Sequence, residues 1–372
     1  MSSPRRLRVL VNAINDNAHP RGPDRYLTEL LSHMMALPDA PQLQLLHAPW
    51  QRFFDGLDLG PEGRRQEVAA PRSPARRLLW QAGAFPRLAN ATGADVVFLP
   101  NLIWTPGLRI PSVVTAHDLL HFRTPEKFGR GKAALLRPVI RRALARATRV
   151  IAVSGFTAAD ARRFGRVEDG RLSVIPEGGP APRAGRAAEE GGPLFLFVGK
   201  VERTKNAGLL IRTFLESRVL ADAGARLVIV GPDGNASADI APLLARGKGR
   251  IFRPGFVPEA ELEALYAQAR AFVFPSTAEG FGLVVLEAMA RGAPVIAAAA
   301  TSLPEVVGEA GLLVPPDDGP ALGSAMERLA TDPALAERLT AAGYARLGDF
   351  SWDRAARDTL AVLEAAAEEG RR

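Results

Sequence analysis

The chain has 372 residues, 47% of them hydrophobic and 23% charged, with a formal net charge of +7 and no cysteine. At roughly 150 residues per domain this is material for about two soluble cores, and the lack of cysteine excludes disulfides, thiolate catalysis and cysteine-ligated metal. The basic excess suits anionic partners such as nucleotides, phosphates or acidic membrane surfaces, and equally a plain preference for arginine.

Residues 1–7 run directly into a strand-like segment, without the 7–15 apolar residues of a signal peptide. No apolar run approaches the ~20 residues of a membrane helix, so the expected location is cytoplasmic with no spanning segment. Short apolar, mostly β-branched runs at 7–12, 96–100, 113–116 and 150–154 read as strands buried on both faces of a parallel sheet. Amphipathic stretches at 24–35 and 132–147 alternate with them, the βαβ signature. A segment rich in breakers and charges, 181–192, reads as a linker. A second alternating series follows at 194–199, 226–231, 271–274, 294–297 and 311–314, and an Ala- and Glu-rich helix closes the chain. The expected class is therefore α/β, with two Rossmann-like domains, 1–180 and 193–350, facing across an interdomain cleft. The 351–372 helix is expected to dock on either half, with packing back on the first domain as the preferred arrangement. Such sheets bind ligands beyond the carboxyl ends of their strands.

Three places along this series carry chemistry. His117-Asp118 ends the strand at 113–116, where an imidazole can donate a bond to a sugar hydroxyl or stabilise developing charge; a lone histidine is otherwise more often structural. After the first strand of the second half, Gly199-Lys200-Val201-Glu202-Arg203-Thr204-Lys205 places several cations before a helix, a cradle for a diphosphate or a plain basic turn. Between a buried strand and a helix lies Glu279-Gly280-Phe281-Gly282-Leu283, with Glu287 a turn or so into that helix. The glycines let backbone N–H groups approach an anion at the positive helix end. A carboxylate accepts from two vicinal hydroxyls, which suits Glu279 to a sugar and Glu287 to a ribose diol. Thr301 and Ser302 are expected to cap a helix entered through Pro304.

The stretch from Glu279 to Ala290 resembles the Glu-x7-Glu signature of the retaining GT-B glycosyltransferases, the bacterial group 1, mannosyltransferase-like members. Lys200 to Asn206, Ser302-Leu303-Pro304-Glu305-Val306, Val153-Ser154-Gly155-Phe156-Thr157 and His117-Asp118 resemble further elements of that family, so the likeness spans nearly the whole chain. The resemblance implies that Glu279 contacts the transferred sugar, Glu287 the nucleotide ribose, and His117 the donor sugar. Lys200, Arg203 and Lys205, with Gly280, Phe281, Gly282 and Leu283, would hold the donor. His117, Glu279 and Lys205 would carry catalysis, with retention at the anomeric carbon and without metal or cofactor. Lys200 stands where the family has arginine, which keeps charge and loses the bidentate fork.

The family's glycine-rich first loop is altered here to Arg21-Gly22-Pro23-Asp24-Arg25-Tyr26. Pro23 has no N–H to offer a phosphate and Asp24 would repel one. Gly22, Arg25 and Tyr26, with Asp118 and Ser154, are therefore assigned to the acceptor side, although Ser154 serves equally as a helix cap. Glu177 stands where many relatives have asparagine. The implied activity is transfer of a hexose from a nucleoside-diphosphate sugar, GDP-mannose by the Ser-Leu-Pro-Glu-Val likeness, to a glycan or lipid-linked glycan in polysaccharide or lipopolysaccharide synthesis. A nucleotide-sugar epimerase of the same fold and a non-catalytic sugar-nucleotide or glycan binder are the alternatives. The absence of Gly-x-Gly-x-x-Gly after the first strand speaks against a redox Rossmann enzyme, and no motif supports nucleic-acid binding. The basic, amphipathic segments at 72–80 and 127–149 are expected either to touch anionic membrane or to be core-facing helices with a solvated basic face.

Overall fold

In a computed structural model the described residues are 6–183, 185 and 191–371. Residues 1–5, 184, 186–190 and 372 lie outside them, and with them the chain start and half of the 181–192 segment. The chain divides into two compact units, Met1–Gly178 with Ser351–Arg372, and Gly179–Phe350.

Unit 1 is built on a seven-stranded sheet of order β3-β2-β1-β4-β5-β6-β7. Its strands are β1 (Arg8–Asn12), β2 (Gln42–His47), β3 (Arg64–Glu67), β4 (Val96–Leu99), β5 (Ser112–Ala116), β6 (Arg149–Ala152) and β7 (Leu172–Val174), and all pairings are parallel. Leu10, Val97, Val114 and Val150 fill its core from four adjacent strands. The apolar-run criterion missed β2, β3 and β7. β3 reads Arg-Arg-Gln-Glu and is wholly exposed. It is a strand only because β2 lends its backbone and Gln44 donates to Gln66 at 2.8 Å. The closing helix Trp352–Arg371 buries Ala355, Ala356, Leu360, Leu363 and Ala366, and packs on helix Gly22–Met35. Trp352 leaves no room beside it: a Cβ on Gly178 would lie 2.3 Å from its ring.

Unit 2 carries six parallel strands, β8 (Leu194–Val198), β9 (Arg226–Val230), β10 (Ile251–Gly255), β11 (Ala271–Phe274), β12 (Val295–Ala298) and β13 (Gly311–Val314), in the order β10-β9-β8-β11-β12-β13. The edge strand β10 was also missed, since Pro254 and Gly255 disguise it. In each unit the order reverses at the unit's first strand, between β1 and β4 and between β8 and β11. Doubly wound sheets open a ligand crevice at that reversal.

Where the chain leaves β8 and β9, two backbones cross: a Cβ on Gly231 would lie 2.2 Å from the Gly199 carbonyl oxygen, and Gly231 has φ +136°. Gly107 in unit 1 has φ +80° with nothing within 4 Å. Gly107→Ala is expected to cost about 1 kcal/mol through φ alone, and Gly231→Ala roughly 2 kcal/mol more because backbone must move. Urea midpoints of the two variants check the order.

Candidate active site

In unit 2 the loops after β8 and β11 meet at the reversal of strand order. Thr204 supplies the carbonyl on which the second loop rests, accepting from the Thr277 N–H at 2.8 Å. Lys205 Nζ forms an ion pair with Glu279 Oε1, across 74 residues of sequence, and stands 4.8 Å from the centre of the Phe274 ring. The Ser276 hydroxyl donates to the same carboxylate oxygen at 2.5 Å. The two charged side chains are only 18% and 13% exposed, so each satisfies a charge the other would otherwise leave uncompensated.

The loop's backbone is held from the other side. The Glu279 N–H donates to Thr301 Oγ1 at 3.0 Å. The Ser302 hydroxyl sits 3.1 Å from the Glu279 carbonyl oxygen and 2.9 Å from that of Phe281. This corrects the expected capping role: Ser302 makes no side-chain cap bond to its helix, because its own backbone is already helical (φ -82°, ψ -13°) instead of extended as a cap requires. Thr301 has φ +53°, an unfavourable conformation for a β-branched residue. Gly282, φ +113°, then starts helix Leu283–Ala290, and a Cβ there would meet Leu303 Cδ2 at 2.9 Å. Phe281 is buried edge-to-face against Phe350 at 5.7 Å, so its ring serves packing.

Glu287, the fifth residue of that helix, accepts from the buried Tyr266 hydroxyl at 3.3 Å. Arg291, one turn on, binds the Glu287 carbonyl at 3.1 Å and pairs with Glu263. The hydrogen bond from Arg291 holds the Glu263 carboxyl below the ordinary glutamate range. The other two predicted cations lie at the surface. Lys200, 52% exposed, pairs with Glu202 at 3.2 Å, and Arg203, 70% exposed, with Asp239 at 3.0 Å. Of the three, Lys205 is the one the fold brings to Glu279. Among the described residues no three His, Asp or Glu side chains gather as a metal-holding group.

In unit 1, Asp24 is buried at the third position of helix Gly22–Met35 and accepts from Asn15 Nδ2 at 2.6 Å, Asn17 Nδ2 at 2.7 Å and the Arg21 N–H at 3.0 Å. The chain's own carboxylate thus occupies the positive helix end. Gly22 and Arg25 are exposed beside it. Tyr26 is buried, its hydroxyl 3.4 Å from Thr115 Oγ1 and its ring perpendicular to His117 at 4.7 Å. Two further loops place His117: its Nε2 is 3.0 Å from the Pro100 carbonyl oxygen after β4, and its Nδ1 is 3.3 Å from Glu177 Oε1 after β7. Asp118 accepts from the Leu120 N–H at 3.0 Å, and Ser154 caps helix Gly155–Gly165 through Thr157 N–H at 3.0 Å. Tyr26, Asp118 and Ser154, assigned from the sequence to an acceptor, thus all have partners within unit 1.

The family profile described as Glycosyl transferases group 1 matches residues 192–332, and Glycosyltransferase Family 4 matches residues 20–178. The chain is 32% identical over 266 residues to O-antigen chain mannosyltransferase B of Escherichia coli, covering 67% of this chain and 69% of that protein.

This chain belongs to the group 1 glycosyltransferases. It is also 34% identical over 232 residues to D-inositol 3-phosphate glycosyltransferase of Streptomyces griseus, 56% of this chain, and spans about half (48%) of that relative's length. Sucrose-phosphate synthase from Thermosynechococcus elongatus superposes with a TM-score of 0.79 at 22% identity, covering 97% of this chain and 99% of that one. HepE of Anabaena, in complex with UDP and glucose, gives 0.74 at 18%, covering 96% and 99%. The glycosyltransferase thus has the GT-B fold. Ser276, Tyr266, Thr301 and Ser302 were not read from the sequence as builders of its site. Ser276 lies three residues before Glu279, a spacing that was legible; the others join it through tertiary contacts.

Removing one member of the Lys205–Glu279 pair leaves the other charge mostly buried. Lys205→Met is expected to destabilise unit 2 by about 1–3 kcal/mol, less than for a fully buried pair because water reaches the site. The double variant with Glu279→Gln is expected to cost less than the sum, which a thermal-unfolding cycle measures.

Proposed function

We propose that this glycosyltransferase moves a hexose, with retention, from a nucleoside-diphosphate sugar to a glycan or lipid-linked glycan acceptor in polysaccharide or lipopolysaccharide synthesis. GDP-mannose is the donor proposed. The observation that carries the reading is the Lys205–Glu279–Ser276 cluster at the strand-order reversal of unit 2. It sets a cation and a carboxylate beside the start of helix Leu283–Ala290, where a diphosphate and a sugar need opposite chemistries. The relative named as an O-antigen chain mannosyltransferase supports mannose and a polymer acceptor, and the complex of HepE with UDP and glucose supports a nucleotide-bound donor.

In this reading Glu279 binds the transferred sugar and Glu287 the ribose. Lys205 and the helix start stabilise charge on the departing diphosphate, with no cofactor or metal. Lys200 and Arg203 are available to join it, because their present exposed pairs are worth only about 0–1 kcal/mol. His117 is the residue of unit 1 assigned to the reaction.

In a thermal-shift series of UDP-, GDP-, dTDP- and ADP-sugars, GDP-mannose is expected to raise the melting temperature most, with about 2.7 kcal/mol of stabilisation at a hundredfold excess over Kd. Slow hydrolysis of that sugar is expected to fall at least about 100-fold in Glu279→Ala. A larger shift with a UDP-sugar would reject the donor, and undiminished hydrolysis would reject the site.

No helix among the described residues is long and apolar enough to cross a membrane. Helices Pro74–Ala91 and Arg130–Arg146 expose Leu79 (75%) and Leu135 (70%) on arginine-bearing surfaces. We propose that these residues touch an anionic bilayer where a lipid-linked acceptor resides. Co-sedimentation with anionic liposomes at low salt is the expected result, weakened in Leu79→Ser/Leu135→Ser; failure of the wild type to sediment removes the proposal.

A further inference from the structure

We propose that Glu177 is a positioning residue that holds His117 doubly protonated, so that the imidazole works by charge and not as a base; the functional part of this rests on His117 taking part in the reaction. The argument is a hydrogen inventory. A carbonyl oxygen only accepts, so the 3.0 Å contact to Pro100 requires a hydrogen on Nε2. Nδ1 faces a carboxylate oxygen at 3.3 Å, and two lone pairs cannot face one another, so a proton lies between them; imidazole is ordinarily the stronger base of the two and takes it. Glu177 is buried, 5% exposed, and among the described residues His117 is its one hydrogen-bond partner. An ionised carboxylate in such a place needs a charged donor.

Tyr26, from helix Gly22–Met35, packs perpendicular to the imidazole, and burial pushes its hydroxyl far above the ordinary tyrosine range, which keeps it neutral. Asp118 spends Oδ1 on the Leu120 N–H, and the His117 carbonyl accepts from Thr157 Oγ1 at 3.5 Å. The ring, 16% exposed, is thus fixed at the carboxyl end of β5 with both nitrogens engaged. With no free lone pair it cannot remove a proton. The polarised C–H edge of an imidazolium can still stabilise negative charge developing on a leaving group.

The test is long-range proton–nitrogen correlation NMR of the full chain labelled with 15N-histidine, with His117→Gln assigning one signal among the five histidines. At the pH of the hydrolysis assay, both His117 nitrogens are expected to carry protons in the wild type. Glu177→Gln is expected to lose the Nδ1 proton and keep that on Nε2. A wild-type Nδ1 without a proton, or a spectrum unchanged in Glu177→Gln, overturns the proposal, and the wild-type spectrum decides even if the variant folds poorly. Hydrolysis of GDP-mannose and UDP-glucose is measured in parallel. Glu177→Gln is expected to lower kcat about tenfold with KM little changed, and an unchanged kcat in a variant lacking the Nδ1 proton overturns the positioning role. Full activity in His117→Gln instead rejects the functional reading and leaves the NMR result to stand on its own.

Discussion

The contact between Lys205 and Glu279 is the constraint on which the rest of unit 2's carboxyl edge depends. Each charge arrives on a loop leaving one of two adjacent central strands, and each is mostly withdrawn from water. Ser276 adds a hydroxyl to the carboxylate, Thr204 anchors the loop backbone, and Thr301 and Ser302 hold it from the β12 side. With the loop fixed at both flanks, the start of helix Leu283–Ala290 follows directly on the carboxylate. Glu287 is oriented in turn by Tyr266, from a helix that precedes β11. The positive φ of Thr301 fits a loop whose hydrogen bonds over-determine its shape.

The two units share a strand order and use its carboxyl edge in opposite ways. Unit 2 places a cation at the reversal of order. Unit 1 fills the corresponding helix start with Asp24, whose oxygens are satisfied by Asn15, Asn17 and the Arg21 backbone. The positive helix end there is already met by a carboxylate of the chain itself. The imidazole of His117 is likewise committed inside unit 1, between Pro100, Glu177 and Tyr26.

Strands were legible where both faces are buried, as in β1, β4, β8 and β11, because a short continuous apolar run bounded by turn residues reads as a buried strand. The strands that escaped notice lie toward the sheet margins. β3 is polar throughout and β10 carries proline, so their state is set by a partner's unpaired backbone groups. The candidate site divides in the same manner. Glu279, Gly282 and Glu287 could be read as a pattern because loop and helix start are local. Thr301 and Ser302 were read as caps because local rules favour that role, yet their hydroxyls serve a loop some 20 residues earlier.

The amino-acid sequence alone determined the α/β class, the two alternating series and the residue types placed at the ends of the central strands. These follow from periodicity and turn chemistry, which act over a few residues. Only the tertiary structure decided that Lys205, rather than Lys200 or Arg203, meets Glu279, that Asp24 turns inward, and that His117 stands against Glu177. Such pairings depend on strand order and on which buried charge finds a partner, and both are settled by burial and Coulomb energy between segments far apart along the chain.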